Sequence, residues 1–211
     1  MSNKEDISKT LSDIRNLMDT SARFHSISGL AGVGSGITAL AGIAVFYLYF
    51  GFNLFEPFIF VNYQTIPFLM ADGLVVLIIS LLLAFFFTWR NAKKRGEKTW
   101  TKIVKRVLLY FSIPMIAGGI ILLPYFSGSG PILFPSAIAL TLVFYGIALV
   151  SASRYSLNEL FWLGLIQLIL GLAGFFLWRY SLVFWALGFG VMNLVFGIVV
   201  YKKYEMNERQ E

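Results

Sequence analysis

Six apolar stretches, each close to twenty residues long, follow one another along this chain, some with almost nothing between them. In hydrocarbon every backbone N–H and C=O must be satisfied within the segment, so such stretches become α-helices. A bilayer core about 30 Å thick needs roughly 20 residues at 1.5 Å each. The stretches lie at about 29–50, 68–89, 105–126, 131–152, 159–178 and 181–201. The expected fold class is therefore all-α, a polytopic transmembrane bundle of six spans. Ser127–Pro131 alone separates the third and fourth, and Arg179 and Tyr180 the fifth and sixth, so both pairs must be antiparallel neighbours. With 58% hydrophobic residues and only 13% charged, the chain lacks the charge to cover a soluble surface.

Lys and Arg set the orientation. If the N-terminus is cytoplasmic, that side holds Lys4, Lys9, Arg15 and Arg23, the cluster Arg90, Lys93, Lys94, Arg95, Lys98, Lys102, Lys105 and Arg106, then Arg154, Lys202, Lys203 and Arg209. Arg179 alone falls outside. The expectation is both termini in the cytoplasm and the bacterial inner membrane as location. A cleaved leader competes for the first span, since Ala39-Leu40-Ala41 resembles a cleavage tripeptide. Glu5, Asp6, Asp13 and Asp19 argue against it, because a leader's first segment should be basic.

Residues 1–27 form a cytoplasmic segment ahead of a membrane domain at 28–201, and 202–211 a charged tail. Within 4–24, Ile7, Leu11, Ile14 and Met18 make one apolar stripe, the pattern of an amphipathic helix. It either packs beneath the bundle or lies on lipid, or it is a docking or dimerising helix for a cytoplasmic partner. In the second loop Lys93, Lys94, Arg95, Lys98 and Lys102 suit contact with anionic lipid, beside their plainer role as topology determinants. The first outer loop, 51–67, carries many aromatics and one charge, Glu56. It reads as interfacial filler, or as a cap over a ligand or lipid site.

Helices in lipid associate through small residues and occasional side-chain hydrogen bonds. The first span offers Gly32-x-x-x-Gly36, with further glycines that leave a face for a homo-oligomer. On the fifth, Gly164, Gln167, Gly171 and Gly174 share one side; on the sixth, Ala186, Gly190, Asn193 and Gly197 do. Folding these two spans about their turn sets the seams in register, and predicts a hydrogen bond between the Gln167 and Asn193 amides near mid-membrane.

Chemistry is sparse. There is no Cys and one His, His25, which excludes thiolate sites and leaves no His-based metal set. No nucleophile–base constellation or nucleotide motif occurs, so no catalytic residue, metal or cofactor is expected and the chain reads as non-enzymatic. The net charge of +6 flanks apolar spans instead of forming a basic domain, which argues against nucleic acid. Asp72, near the outer end of the second span, reads as an interface-solvated carboxylate or as a proton or ion site, and Arg154 and Glu159 are placed to pair across a short loop. Pro114 with Gly118-Gly119 marks a candidate helix break.

The stretches LGFGVMNLVFGIVVYKKYE (Leu187–Glu205) and SARFHSISGLAG (Ser21–Gly32) resemble a family of bacterial six-span inner-membrane proteins with no assigned activity. That family carries His where this chain has Asn193, and its members are often encoded beside small winged-helix regulators. The resemblance implies a sensing, signalling or accessory role with a cytoplasmic partner. The alternative is a small-solute or ion transporter using Asp72, Gln167 and Asn193.

Overall fold

The structure, a computed structural model, describes residues 27–50, 66–94, 101–126 and 134–206. The stripe at 4–24, the loop at 51–65, Arg95 and Lys98 lie outside the described residues. Among the described residues six helices are long and apolar enough to cross a membrane, as a multi-pass protein requires. They are α1 (Gly29–Phe50), α2 (Ile66–Lys94), α3 (Lys102–Phe126), α4 (Phe134–Ser153), α5 (Asn158–Phe176) and the composite α6 (Trp178–Met206). Among the described residues all regular structure is helical.

Helix ends follow local chemistry. α2 runs beyond the apolar stretch to Lys94, since Lys93 and Lys94 are good helix formers whose charge suits a C-terminal dipole. α3 starts earlier than its apolar run because Thr101 caps it: the Val104 N–H donates to Thr101 Oγ1 at 3.3 Å. Hydroxyls inside the apolar helices are satisfied within their own turn. Ser35 donates to the Ala31 carbonyl at 2.9 Å and Thr38 to the Gly34 carbonyl at 2.8 Å.

α3 is continuous through Pro114 and Pro124. The expected break at Gly118-Gly119 is instead a docking point, for the Phe144 ring of α4 packs where a Gly118 side chain would stand.

α6 is not uniform. A 3₁₀ turn (Trp178–Tyr180) leads into regular helix at Ser181–Trp185. Wide i→i+5 helix comes next over Ala186–Met192, then regular helix over Asn193–Val200, and wide helix again over Tyr201–Met206. Its partners change along its length. Ser181–Trp185 lies against α4 and α5, Ala186–Met192 against α1 and α5, and Asn193–Val200 mainly against α1.

Contacts run in a row: α2 on α1, α1 on α6, α6 on α5 and α4, and α3 on α4. Leu149, Ala152, Leu160 and Leu163 form a buried cluster between α4 and α5. Ile27, Val107, Phe111, Tyr145, Met192 and Phe196 pack onto it from α3, α4, α6 and the start of α1.

Glycines mark where backbones touch. A Cβ on Gly32 would lie 2.9 Å from Gly197 Cα, and one on Gly36 would lie 2.7 Å from the Gly190 carbonyl oxygen, so α1 and α6 meet at main-chain distance. A Cβ on Gly164 would lie 2.8 Å from Val150 N, and one on Gly171 would lie 2.7 Å from Val143 N, which sets α5 on α4 in the same way. Gly174 faces Ala139 and Phe184.

This corrects the expected pairing of the last two spans. Gly164 and Gly171 of the α5 seam meet α4, while Gln167 and Gly174 reach α6, and Gly190 and Gly197 of the α6 seam meet α1. A helix buries its small residues where a second backbone comes closest. For α5 that is the Gly146 neighbourhood of α4, and for α6 the glycine run of α1.

Candidate functional site

Polar side chains in a bundle of this kind are costly unless bonded, so where they sit and what they touch locates any site. Gln167, at the middle of α5, is fully buried. Its Nε2 donates to the Gly188 carbonyl at 2.8 Å. Its Oε1 is buried with no donor among the described residues, as is Ser181 Oγ.

Asn193, only 4% exposed, donates from Nδ2 to the Phe189 carbonyl at 3.0 Å. Its Oδ1 accepts from the Tyr145 hydroxyl at 3.3 Å. The Tyr145 ring stacks on Phe189, centroids 4.8 Å apart, and meets Phe111 edge-on at 6.1 Å. Phe189 in turn lies 4.9 Å from Trp185.

The two amides therefore do not bond to each other, contrary to the sequence expectation. The cause is the wide segment Ala186–Met192. Each extra residue per turn rotates the remainder of the helix by about 100° against an unbroken one. Gly188 then faces α5, while Asn193 lies toward α4 and its own turn. Both amides serve consecutive carbonyls of that segment, where the ordinary i→i+4 ladder is interrupted.

Asp72 lies elsewhere. It is half-buried near the start of α2 and faces α1, where a Cβ on Gly42 would stand 3.0 Å from its Oδ2. The structure thus brings Gln167 and Asn193 to one segment of α6 and leaves Asp72 on the α1–α2 contact.

A second polar group sits at the end of the bundle that bears Lys94, Lys102 and Met206. The Glu205 carboxylate accepts from Ser28 Oγ at 2.9 Å and from the Gly29 N–H at 2.6 Å. It thereby caps the N-terminus of α1, where the helix dipole favours negative charge. Two residues earlier, Lys203 forms an ion pair with Glu159 at the start of α5. The Tyr204 hydroxyl lies 3.1 Å from both Glu159 oxygens. Glu159 is thus held by α6 and not by Arg154, which is exposed; the pairing expected from proximity in sequence is not made. Lys203, Tyr204 and Glu205 together fasten α6 to α5 and α1.

The basic residues described, Lys93, Lys94 and Lys102, are exposed at the ends of α2 and α3, with the Lys93 ammonium 5.6 Å from the Trp89 ring centroid. Among the described residues no three acidic or His side chains gather. The central group is neutral, built of amides, one phenol and carbonyls, and can exchange hydrogen bonds but offers no nucleophile–base pair.

Sequence reasoning missed Tyr145, Ser28 and Glu205. Tyr145 carried a usable signal: it is the one Tyr of a mostly apolar span, and a phenol in hydrocarbon needs an acceptor. Glu205 carried none, because its partner lies 177 positions away. Comparison of the chain with family models, with curated proteins and with solved structures finds no match in any of the three.

Proposed function

We propose that this protein is a non-enzymatic sensor or accessory component of the bacterial inner membrane, which relays changes in its helix bundle to a cytoplasmic protein through residues 4–24. Both termini lie in the cytoplasm in this reading, as the distribution of Lys and Arg favours. The observation that carries it is the pair of hydrogen bonds that the Glu205 carboxylate accepts from Ser28 and Gly29. The last turn of α6 thereby holds the base of α1, the point from which the N-terminal segment departs. Any shift of α6 at its wide, glycine-bearing middle acts on that latch.

Transport through Asp72, Gln167 and Asn193 is disfavoured by the separation of Asp72 from the two amides. The test is in-cell photo-crosslinking from positions 7, 11 and 14 of the full chain. A defined cytoplasmic protein should be captured at these positions and released when Glu205 is replaced by Ala. Solute flux in vesicles that is abolished by Asp72→Asn, with no crosslinked protein, would overturn the proposal.

A further inference from the structure

α2 and α3 are consecutive, yet they make no substantial interface with each other: α2 lies on α1 and α3 on α4. Both present large apolar side chains outward, among them Leu82 and Phe85 on α2 and Ile116 and Ile120 on α3, each more than half exposed. The order of contacts, α2–α1–α6–α4–α3, would place α2 and α3 about 32–40 Å apart if the row were straight, at 8–10 Å per neighbour. The covalent link forbids that. Lys94 and Thr101 are joined through residues 95–100, which reach at most about 25 Å when fully extended. The row must therefore curve, with α2 and α3 flanking its mouth. At the same end, Val107 and Phe111 of α3 and Ile27 ahead of α1 pack on the apolar cluster of α4 and α5.

Charge is concentrated where α2 and α3 are joined. Arg90, Lys93 and Lys94 close α2, and Lys102, Lys105 and Arg106 open α3; all six are exposed. Among the described residues no carboxylate neutralises any of them, the one ion pair there being Lys203 with Glu159. Arg106 lies 5.8 Å from the Tyr155 ring centroid, so its guanidinium is steered along the helix end. Exposed apolar faces on two helices joined at a run of cations, none of them paired with a described carboxylate, match one kind of molecule: two acyl chains carrying an anionic headgroup.

We propose that the interval between α2 and α3 holds an anionic phospholipid, its headgroup phosphate bound by the cations of both helix ends and its chains lying against the two helices. This site is independent of the signalling role proposed above. It differs from general attraction to a charged membrane because it needs cations from both helices.

The test uses the full-length protein in detergent, exchanged into phosphatidylglycerol or phosphatidylcholine and followed by native mass spectrometry and thermal melting. Wild type should retain phosphatidylglycerol at least tenfold over phosphatidylcholine at low stoichiometry, with a raised melting point. Lys93→Gln with Lys94→Gln on α2, or Lys102→Gln with Lys105→Gln on α3, should each remove most of that preference while leaving helical content unchanged. Arg154→Gln with Lys202→Gln, which removes two cations outside the α2 and α3 ends, should keep it. Equal retention of the two lipids by wild type would overturn the proposal. So would an equal loss in the Arg154/Lys202 variant, or the same thermal shift from inorganic phosphate alone.

Discussion

Gln167 and Asn193 bind neighbouring carbonyls of one segment of α6, those of Gly188 and Phe189, without bonding to each other. Their effects on stability should therefore be nearly additive. A double-mutant cycle of Gln167→Leu with Asn193→Leu, measured by unfolding in mixed detergent, should give a coupling within about 0.5 kcal/mol. The cycle of Asn193→Leu with Tyr145→Phe should show a coupling of about 0.6–1.7 kcal/mol, the range found for hydrogen bonds between membrane helices. The reverse order of magnitudes would mean that the amides meet.

Glycine substitutions should separate into two classes. Gly197→Val drives a side chain into the backbone of α1 around Val33 and Gly29 and should cost about 1–3 kcal/mol or more. Gly119 and Gly73 have nothing within 4 Å of a built Cβ. Gly119→Ala should accordingly be neutral or stabilising by up to about 1 kcal/mol, through helix propensity alone. Thermal melting of the purified variants checks both.

Ser28→Ala removes one of the two donors to Glu205 and should lower stability by about 0.5–2 kcal/mol, as loss of a helix cap does. Hydrogen exchange should speed up locally at the amides of the first turn of α1. Lys203→Met should do little by comparison, because the Lys203 side chain is 57% exposed and its ion pair is screened by water. Tyr204 continues to hold Glu159 in that variant.

Orientation is directly measurable because the chain has no native Cys. A single Cys at position 209 should resist a membrane-impermeant thiol reagent applied to intact cells with permeable outer layers, and one at position 179 should react. The opposite pattern would invert the assignment and, with it, the side on which a partner docks.

Much of the architecture was legible from composition and length, since hydrocarbon thickness leaves little freedom in how long an apolar helix can be. The starts and ends of α1 and α5 needed only the apolar pattern. Helix partnering was another matter. The glycines of α5 and α6 announced close approach, but the pattern cannot say which backbone approaches, and both seams have small-residue counterparts on more than one helix. The Gln167–Asn193 pairing failed for a related reason. Periodicity assumes 3.6 residues per turn throughout, and Ala186–Met192 departs from it. Asp72 was visible as an acid in a span, yet its facing of Gly42 depends on the packing of α1 with α2, which no local pattern encodes.

The seating of α1 has a consequence for biosynthesis. Its closest backbone neighbour is α6, made after the four spans between them, and its cap comes from Glu205 at the end of that helix. While the intervening spans are being made, α1 must wait in the membrane with its glycine face unfilled, screened by lipid or by the insertion machinery. The seat of α1 is completed only when α6 arrives, so a nascent chain stopped short of the sixth helix would leave its first one orphaned and exposed to quality-control proteases.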